Sequence, residues 1–347
     1  QVAIVEESND AMNPTNCSPT GAGSKPYCLI DQFLADPAPA ALAKTVVFFR
    51  KPKVQYTNNT GFVDIARSLR LVGQRADRTA TPVVLADPLR IGPASTGDIS
   101  VSIEDMALSI QNVGSANALS CLRTKFDRQI NLAIRWSRFD NNPAVAVQSQ
   151  ACNSVTISNS VFTRNATGTS AIGAVYISGG EISITNTIIA SNGNNSANNT
   201  KGGGVYLENV PGTLDLGTIN LAFNTIADNV CRTSGSGNPT PNCNFYSENP
   251  ATMTYSIVTG TKNRISSNIT LLNSIVPSDY GTANGNIASS GSFPAFVNAG
   301  AFDYHLSPNA VNTAARVDNQ NPSEKNDVDD DPRPVNGRVD IGADQRP

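Results

Sequence analysis

The sequence predicts an all-β chain wound as a right-handed parallel β-helix, a β-solenoid, with an N-terminal cap and a C-terminal capping segment. Three observations carry this expectation. Four segments share one pattern: VTISNSVFTRN from Val155, ISITNTIIASN from Ile182, INLAFNTIADN from Ile219 and ITLLNSIV from Ile269. Self-similarity of this kind marks a repeat architecture. Within each segment aliphatic and small polar residues alternate with period 2, and no helical period interrupts them. Finally, 39% of residues are hydrophobic and only 15% charged, which suits a continuous core under a surface of Ser, Thr, Asn and Gly.

Taken in chain order, residues 1–44 form an N-terminal segment and cap. Its Ala-rich stretch from Asp31 to Lys44 is compatible with a helix that covers the first turn. QVAIVEE at the start is a short alternating strand with no partner nearby in sequence, so Gln1, Val2, Ala3, Ile4 and Val5 are expected to add to the edge of another subunit. Residues 45–290 form the coil. The stretch Thr45 to Gly73 supplies several short strands, and VSIEDMALSI from Val101 and INLAIRWSRFDNN from Ile130 supply further turns. In the four clear repeats, Val155 and Ile157, Ile182 and Ile184, Ile219 and Leu221, and Ile269 and Leu271 fall on one face, the core ladder. Asn159, Asn186, Asn224 and Asn273 then mark equivalent bends, which asparagine tolerates. IGAVYIS from Ile172 and KGGGVYLEN from Lys201 are glycine-led strands that recur between them. No turn buries its apolar face alone, so stability is a sum over stacked neighbours.

The formal net charge is −3 and the 25 Lys and Arg form no cluster, so nucleic acid is excluded as a partner. No apolar run approaches the length of a bilayer span. Six cysteines fall into sequence neighbours, Cys17 with Cys28, Cys121 with Cys152 and Cys231 with Cys243; this pairing is one of about 15 and is chosen because each closes a short loop. CxxC zinc spacing is absent and there is one histidine, so the cysteines indicate an oxidising compartment. The chain begins at Gln1, as an exported protein does once its signal peptide is removed.

The strand pattern from Thr45 to Val276 resembles the pectate-lyase-like right-handed β-helix superfamily. The tail, FPAFVNAGAFDYHLSPNAVNTA from Phe293 followed by NDVDDDPRPVNGRVDIGADQRP, resembles the C-terminal signature of choice-of-anchor Q domain proteins. The matching positions are Phe296, Tyr304 to Pro308, Asp327 to Pro334 and Asp340 to Asp344, with Gln345 standing where that family usually has glutamate. Residues 291–347 are therefore set apart as a choice-of-anchor Q-like segment. The resemblance implies export and display at the bacterial cell surface and no defined reaction. The superfamily's fold also hosts polysaccharide lyases and hydrolases, and fold alone does not choose among them.

Candidate sites are few. Asp327, Asp329 and Asp331 alternate with Val328 and Asp330 and offer hard oxygen ligands to Ca²⁺; the competing expectation is a solvated turn pairing with Arg333 or Arg338. No other cofactor is expected, and no catalytic residue is assigned. His305 stands alone and is expected to be structural. Glu181, Asp215, Asp228 and Arg164 are charged but fall on different turns, so they form no acid pair. Trp136 with Phe139 offers rings to a sugar or fills the core. Tyr176 and Tyr206 form a ladder on one face or pack inside. Sequons occur at Asn16, Asn58, Asn165, Asn194, Asn198 and Asn268, as chance produces in an Asn- and Thr-rich chain. The expected function is a secreted, non-catalytic structural or adhesive surface protein that associates with itself as a head-to-tail or donor-strand filament. The rival is a polysaccharide-binding or lyase-like protein acting on extracellular glycans.

Overall fold

The computed structural model describes residues 2–5, 30–36, 45–49, 55–56, 61–74, 83–92, 97–110, 116–122, 128–150, 152–168, 172–193, 203–210, 214–231, 243–260, 265–290, 293–308, 316–318, 325–333 and 338–344. Their architecture is a parallel β-helix. Strands are dealt in turn to three parallel sheets of ten, ten and seven strands, here sheets 1, 2 and 3. A typical turn runs Ser154–Ser158 in sheet 1, Val161–Thr163 in sheet 2 and Val175–Ser178 in sheet 3 before Gly180–Thr185 returns to sheet 1. This interleaved order is consistent with the right-handed coil expected of parallel crossovers. Sheet 1 has ten strands, and nine spacings of about 4.8 Å give an axial length of about 43 Å.

The predicted ladder is the interior of sheet 1. In register, Ala3, Val47, Leu71, Ile103, Ile134, Ile157, Ile184, Leu221, Met253 and Leu271 stack down ten turns, and all are buried in one cluster. Val155, Ile182 and Ile269 are buried beside them. Ile219 is paired with Ile182 but only half-buried, because the register between Gly180–Thr185 and Leu216–Ala222 slips at Gly180. Phe139 and Phe162 stack face to face inside sheet 2, with ring centroids 4.7 Å apart.

Turning the chain inside so narrow a coil leaves backbone groups that must be paired away from water. Two buried polar ladders do this. At the bend between sheets 1 and 2, Ser137, Ser160, Thr187, Ser256 and Ser274 each donate a hydroxyl to the carbonyl two residues back. In four of the steps a side chain accepts the N–H of the turn before: Ser160 from Ser137, Asn224 from Thr187, Ser256 from Asn224 and Ser274 from Ser256. At the bend between sheets 2 and 3 the ladder is asparagine: Asn142, Asn165, Asn192, Asn229 and Asn244 are stacked and buried. The Asn192 amide accepts from the backbone and side-chain nitrogens of Asn165 at 2.9 and 3.0 Å and donates to the Phe162 carbonyl and Asn229 Oδ1.

Asn224 is therefore not equivalent to Asn159, Asn186 and Asn273, as the repeat suggested. Those three occupy a left-handed position, with φ of 49°, 48° and 49°, and the residue at that position in the 219 repeat is Phe223, φ 55°. The slip at Gly180 does not cause the shift, since Thr185 pairs with Ala222 and sets Asn186 opposite Phe223. A bulky residue in this conformation is strained by about 1–2 kcal/mol. Phe223 is supported by its stack on Tyr255, 5.2 Å away and also left-handed, and by the Arg333 guanidinium 5.0 Å from its centroid.

Both ends differ from the expectation in detail. Val2–Val5 is not left seeking a foreign sheet: it pairs in parallel with Val46–Phe49 of its own chain as the first strand of sheet 1. The helix spans Ile30–Ala35, and Ile30 and Phe33 enter the core as its lid, with the Arg67 guanidinium 4.7 Å over the Phe33 ring. At the far end Tyr280 Oη donates to the Ile269 carbonyl of the last sheet 1 strand.

The C-terminal segment runs along the side of the coil as well as its end. Outward residues of sheet 2 are apolar, and Ile188, Ala190 and Ala227 pack against Tyr304, Val328 and Ala343, while Ile257 and Ile275 pack against Phe293, Leu306 and Ile341. Backbone bonds fasten it: Gly342 donates to the Tyr255 carbonyl, and Ala343 to Thr225 Oγ1. Asn159 and Asn186 donate their amides to the Asn326 carbonyl, so the bend residues also anchor the segment.

Two predictions follow from the ladders and cross-links. Asn192→Ala leaves the buried Asn165 backbone N–H without its acceptor and lowers stability by about 1–3 kcal/mol in chemical denaturation. Asn220→Ala on the exposed face shifts it by no more than about 0.5 kcal/mol, and equal effects at the two sites would remove the ladder's role. The Cys121–Cys152 bond, 31 residues apart in sequence, joins neighbouring turns inside the core. Replacing both cysteines by alanine costs about 3–4 kcal/mol, read from the same titration.

Candidate functional site

The broad surface open to a partner is the outer face of sheet 1. Because side chains alternate, the residues between the core positions point outward. They stack as Ser102, Ala133, Thr156, Ser183, Asn220, Thr252 and Thr270, with Ser100, Asn131, Ser154 and Glu181 beside them. A shallow hollow of about 410 Å³ lies on its first turns, walled by Ser100, Ser102, Asn131, Ser154, Thr156 and Arg70.

Two of the charges on this face are matched to each other. Arg70 bonds Glu104, which also accepts from Ser102. Burial works to raise the Glu104 carboxyl, but these bonds outweigh it and hold it below the ordinary carboxylate range. Arg164 and Asp140 form a similar pair on the flank, with Nε to Oδ1 at 2.9 Å. Burial again opposes ionisation there, and the Arg164 and Thr163 bonds again lower the Asp140 carboxyl. On sheet 3 Arg90 grips Asp64 bidentately, at 2.6 and 2.8 Å. Of the scattered charges noted in sequence, Glu181 is committed to the Thr218 N–H and Asp228 to the Tyr304 hydroxyl. No two of them form an acid pair.

Tyr176 and Tyr206 lie outside the main core, on the outward side of sheet 3. Tyr246, which the sequence reading missed because its strand lacks the glycine lead, extends them: Tyr206 and Tyr246 stack at 4.6 Å. Tyr176 and Tyr206 are buried nonetheless, with Val145. Burial, together with the Glu208 carboxylate, raises both phenols well above their ordinary value. Trp136 and Phe139 do not share a face. Phe139 is interior, whereas Trp136 is half-buried at the left-handed bend.

The three aspartates proposed for calcium do not converge. Asp327 is fully buried and turned back on its own loop, where Oδ1 accepts the N–H groups of Asp329 and Asp331, both at 2.8 Å. Asp329 pairs instead with His305, and Asp331 is exposed. The acceptor need of a tight turn has taken the ligand that calcium would require. Among the described residues no group of three His, Cys, Asp or Glu is gathered to hold a metal.

What the run does build is an ionic lock. His305 Nδ1 lies 2.6 Å from Asp303 Oδ1 and Nε2 lies 3.0 Å from Asp329 Oδ2. Buried Asp344 accepts the Leu306 N–H at 2.8 Å nearby. Burial alone would lower the imidazole, but Asp329 first, then Asp344 and Asp303, push it up to about 10. A histidine held as a cation at neutral pH is not a general base; here it ties the 303–306 strand to the 327–331 loop. Asp303 was legible as the residue two before His305, but Asp329 and Asp344 meet it only through folding.

Cys121–Cys152 and Cys231–Cys243 are bonded as predicted; Cys17 and Cys28 lie outside the described residues, as do the sequons at Asn16, Asn58, Asn194 and Asn198. Asn165 is fully buried in the asparagine ladder and is closed to glycosylation, while Asn268 is exposed. No helix among the described residues is long and apolar enough to cross a membrane. Comparison with protein-family models, curated proteins and solved structures finds no match.

The lock predicts a pH dependence. The folded value of His305 lies above its unfolded value near 6.5, so its stabilisation is complete below about pH 6.5 and is lost as pH rises toward about 10. His305→Gln is therefore less stable than the wild type by on the order of 2 kcal/mol near pH 6, with the gap closing by about pH 10. Melting temperatures of the two proteins across this range test it; a gap independent of pH would mean that packing rather than charge is at stake.

Proposed function

We propose that this chain is an exported, non-catalytic structural or adhesive protein of the bacterial cell surface, a stiff coil that presents a flat polar face. The observation that carries this reading is the outer face of sheet 1: stacked Ser, Thr and Asn, with Arg70 and Glu104 paired to each other and no two carboxylates brought together on it among the described residues. A lyase or hydrolase needs uncommitted acids and bases gathered in one place. The two disulfides hint at an oxidising, extracellular environment.

The likeness to choice-of-anchor Q proteins belongs to the same proposal. Support comes from where its motif residues meet: Tyr304, His305, Asp327, Asp329, Asp340 to Asp344 and Arg333 fasten the segment across sheet 2. Such a segment is a structural signature of the coil. Single-copy display is favoured over an end-to-end filament, since Val2–Val5 is used within its own chain and Tyr280 occupies the last strand at the other end. A filament would have the outer edge of Val2–Val5 to build on, which electron microscopy of concentrated protein would reveal as rods much longer than about 43 Å.

The hollow on sheet 1 favours polysaccharide binding as a second reading, because its largely apolar floor of Val46, Leu69 and Leu132, edged by Ser100, Asn131 and Thr156, suits the C–H face and hydroxyls of a glycan chain. Incubating the protein with pectin and alginate and following both the absorbance of unsaturated products and the retardation of the protein in polysaccharide-containing native gels separates the readings, binding without cleavage appearing as retardation alone. The scaffold yields no product at any pH, and sustained product formation would overturn it.

A further inference from the structure

A second cleft, of about 350 Å³, lies where the last turns of the coil meet the returning C-terminal segment. It is distinct from the sheet 1 face. One wall is polar: Asp228 and Thr259 come from sheet 2 ends, and Ser289 and Ser290 from the closing turns. The other is a smaller apolar strip made by Pro294 and the exposed part of Phe296, with Phe293 buried behind them. The chain has shaped the polar wall at some cost. Asp228 is left-handed, φ 52°, and its Oδ2 is held by the Tyr304 hydroxyl at 2.8 Å, itself 2.6 Å from Ser191 Oγ. Thr259 Oγ1 is buried and has no hydrogen-bond partner among the described residues. That hydroxyl has no exposed surface, so the groups a ligand meets on this wall are Asp228 and the serines.

The chemistry of the lining selects the ligand. A carboxylate only accepts, so the ligand must donate; serine and threonine hydroxyls both donate and accept. Ring faces opposite them want C–H surface. Asp228 is the charged group in the lining and repels anions. The volume lies at the lower end of small-molecule sites. We infer that this cleft binds a neutral hexose unit, whose hydroxyls meet Asp228 and the serines while its C–H face lies on Pro294 and Phe296. The inference deepens the adhesive reading by naming a ligand class, and it rests on that reading only for where the sugar is met.

The test is ligand-observed NMR on the whole chain with glucose, galactose and mannose, alongside glucuronate and glucosamine. At least one neutral hexose is expected to bind with Kd on the order of 1–10 mM, and glucuronate about tenfold more weakly. Asp228→Asn keeps an acceptor for Tyr304 and tolerates the left-handed backbone, so it should fold normally and bind about fivefold more weakly. Ser290→Trp fills the exposed rim and abolishes binding, whereas Ser183→Ala on sheet 1 leaves it unchanged. Methyl glycosides distinguish the sources: binding kept indicates the end of a glycan, binding lost a free sugar. The inference is overturned if no neutral hexose binds below about 50 mM, if glucosamine alone binds, or if Ser290→Trp binds like the wild type. None of these results touches the scaffold reading, which the polysaccharide incubation tests separately.

Discussion

A coil of short strands must bend at every few residues while its bends stay against the core, and each bend strands backbone N–H and carbonyl groups out of reach of water. The rest of this structure depends on how that need is met. Ser, Thr and Asn side chains at the two bends accept from one turn and donate to the same or the next, so the polar groups are paired along the axis. The apolar ladder supplies the driving force for stacking, but without the two polar ladders each added turn would bury unpaired groups and lose what it gained. The asparagine ladder is the stronger constraint, because one amide satisfies the backbone and side chain of its neighbour together.

The same geometry explains why the C-terminal segment is where it is. The later turns of sheet 2 carry apolar residues on both faces: Ile189 and Val258 face the core, and Ile188, Ala190, Ile257 and Ile275 point away from it. A parallel sheet with apolar residues on both sides must be covered on both. The returning segment does this, and the charges it carries are spent on holding it: His305 with Asp303 and Asp329, and Arg333 donating to the Gly342 carbonyl.

Sheet 1 needs no such cover. Its outward residues are hydroxyls and amides that water solvates without cost, and its ion pairs are satisfied locally. The coil is stiff along its axis for the reason that its face is bland, since the chemistry has gone into pairing turns with one another. This is the physical basis for reading the chain as a scaffold. Beside Asp228 the coil meets the returning segment in a cleft lined by hydroxyls and a carboxylate.

Much of this was written locally. Period-2 alternation placed Val155, Ile157, Ile182, Ile184, Leu221, Ile269 and Leu271 inside, since a strand's two faces follow from covalent geometry alone. The short spacing of Cys121 with Cys152 and Cys231 with Cys243 identified two bonds. Other features depended on which turn lies above which. Asn165, Asn192 and Asn229 close three of the repeated segments, but that they face inward as one hydrogen-bonded ladder is a property of the stack. Phe223 rather than Asn224 takes the left-handed position because register with Thr185 and Ala222 places it there. Asp327 to Asp331 looked like ligands for a cation until folding turned Asp327 onto its own backbone and set Asp329 against His305, 24 residues away in sequence. Alternation and loop length are decided between neighbours along the chain; the partners of a carboxylate are decided by what the coil brings beside it.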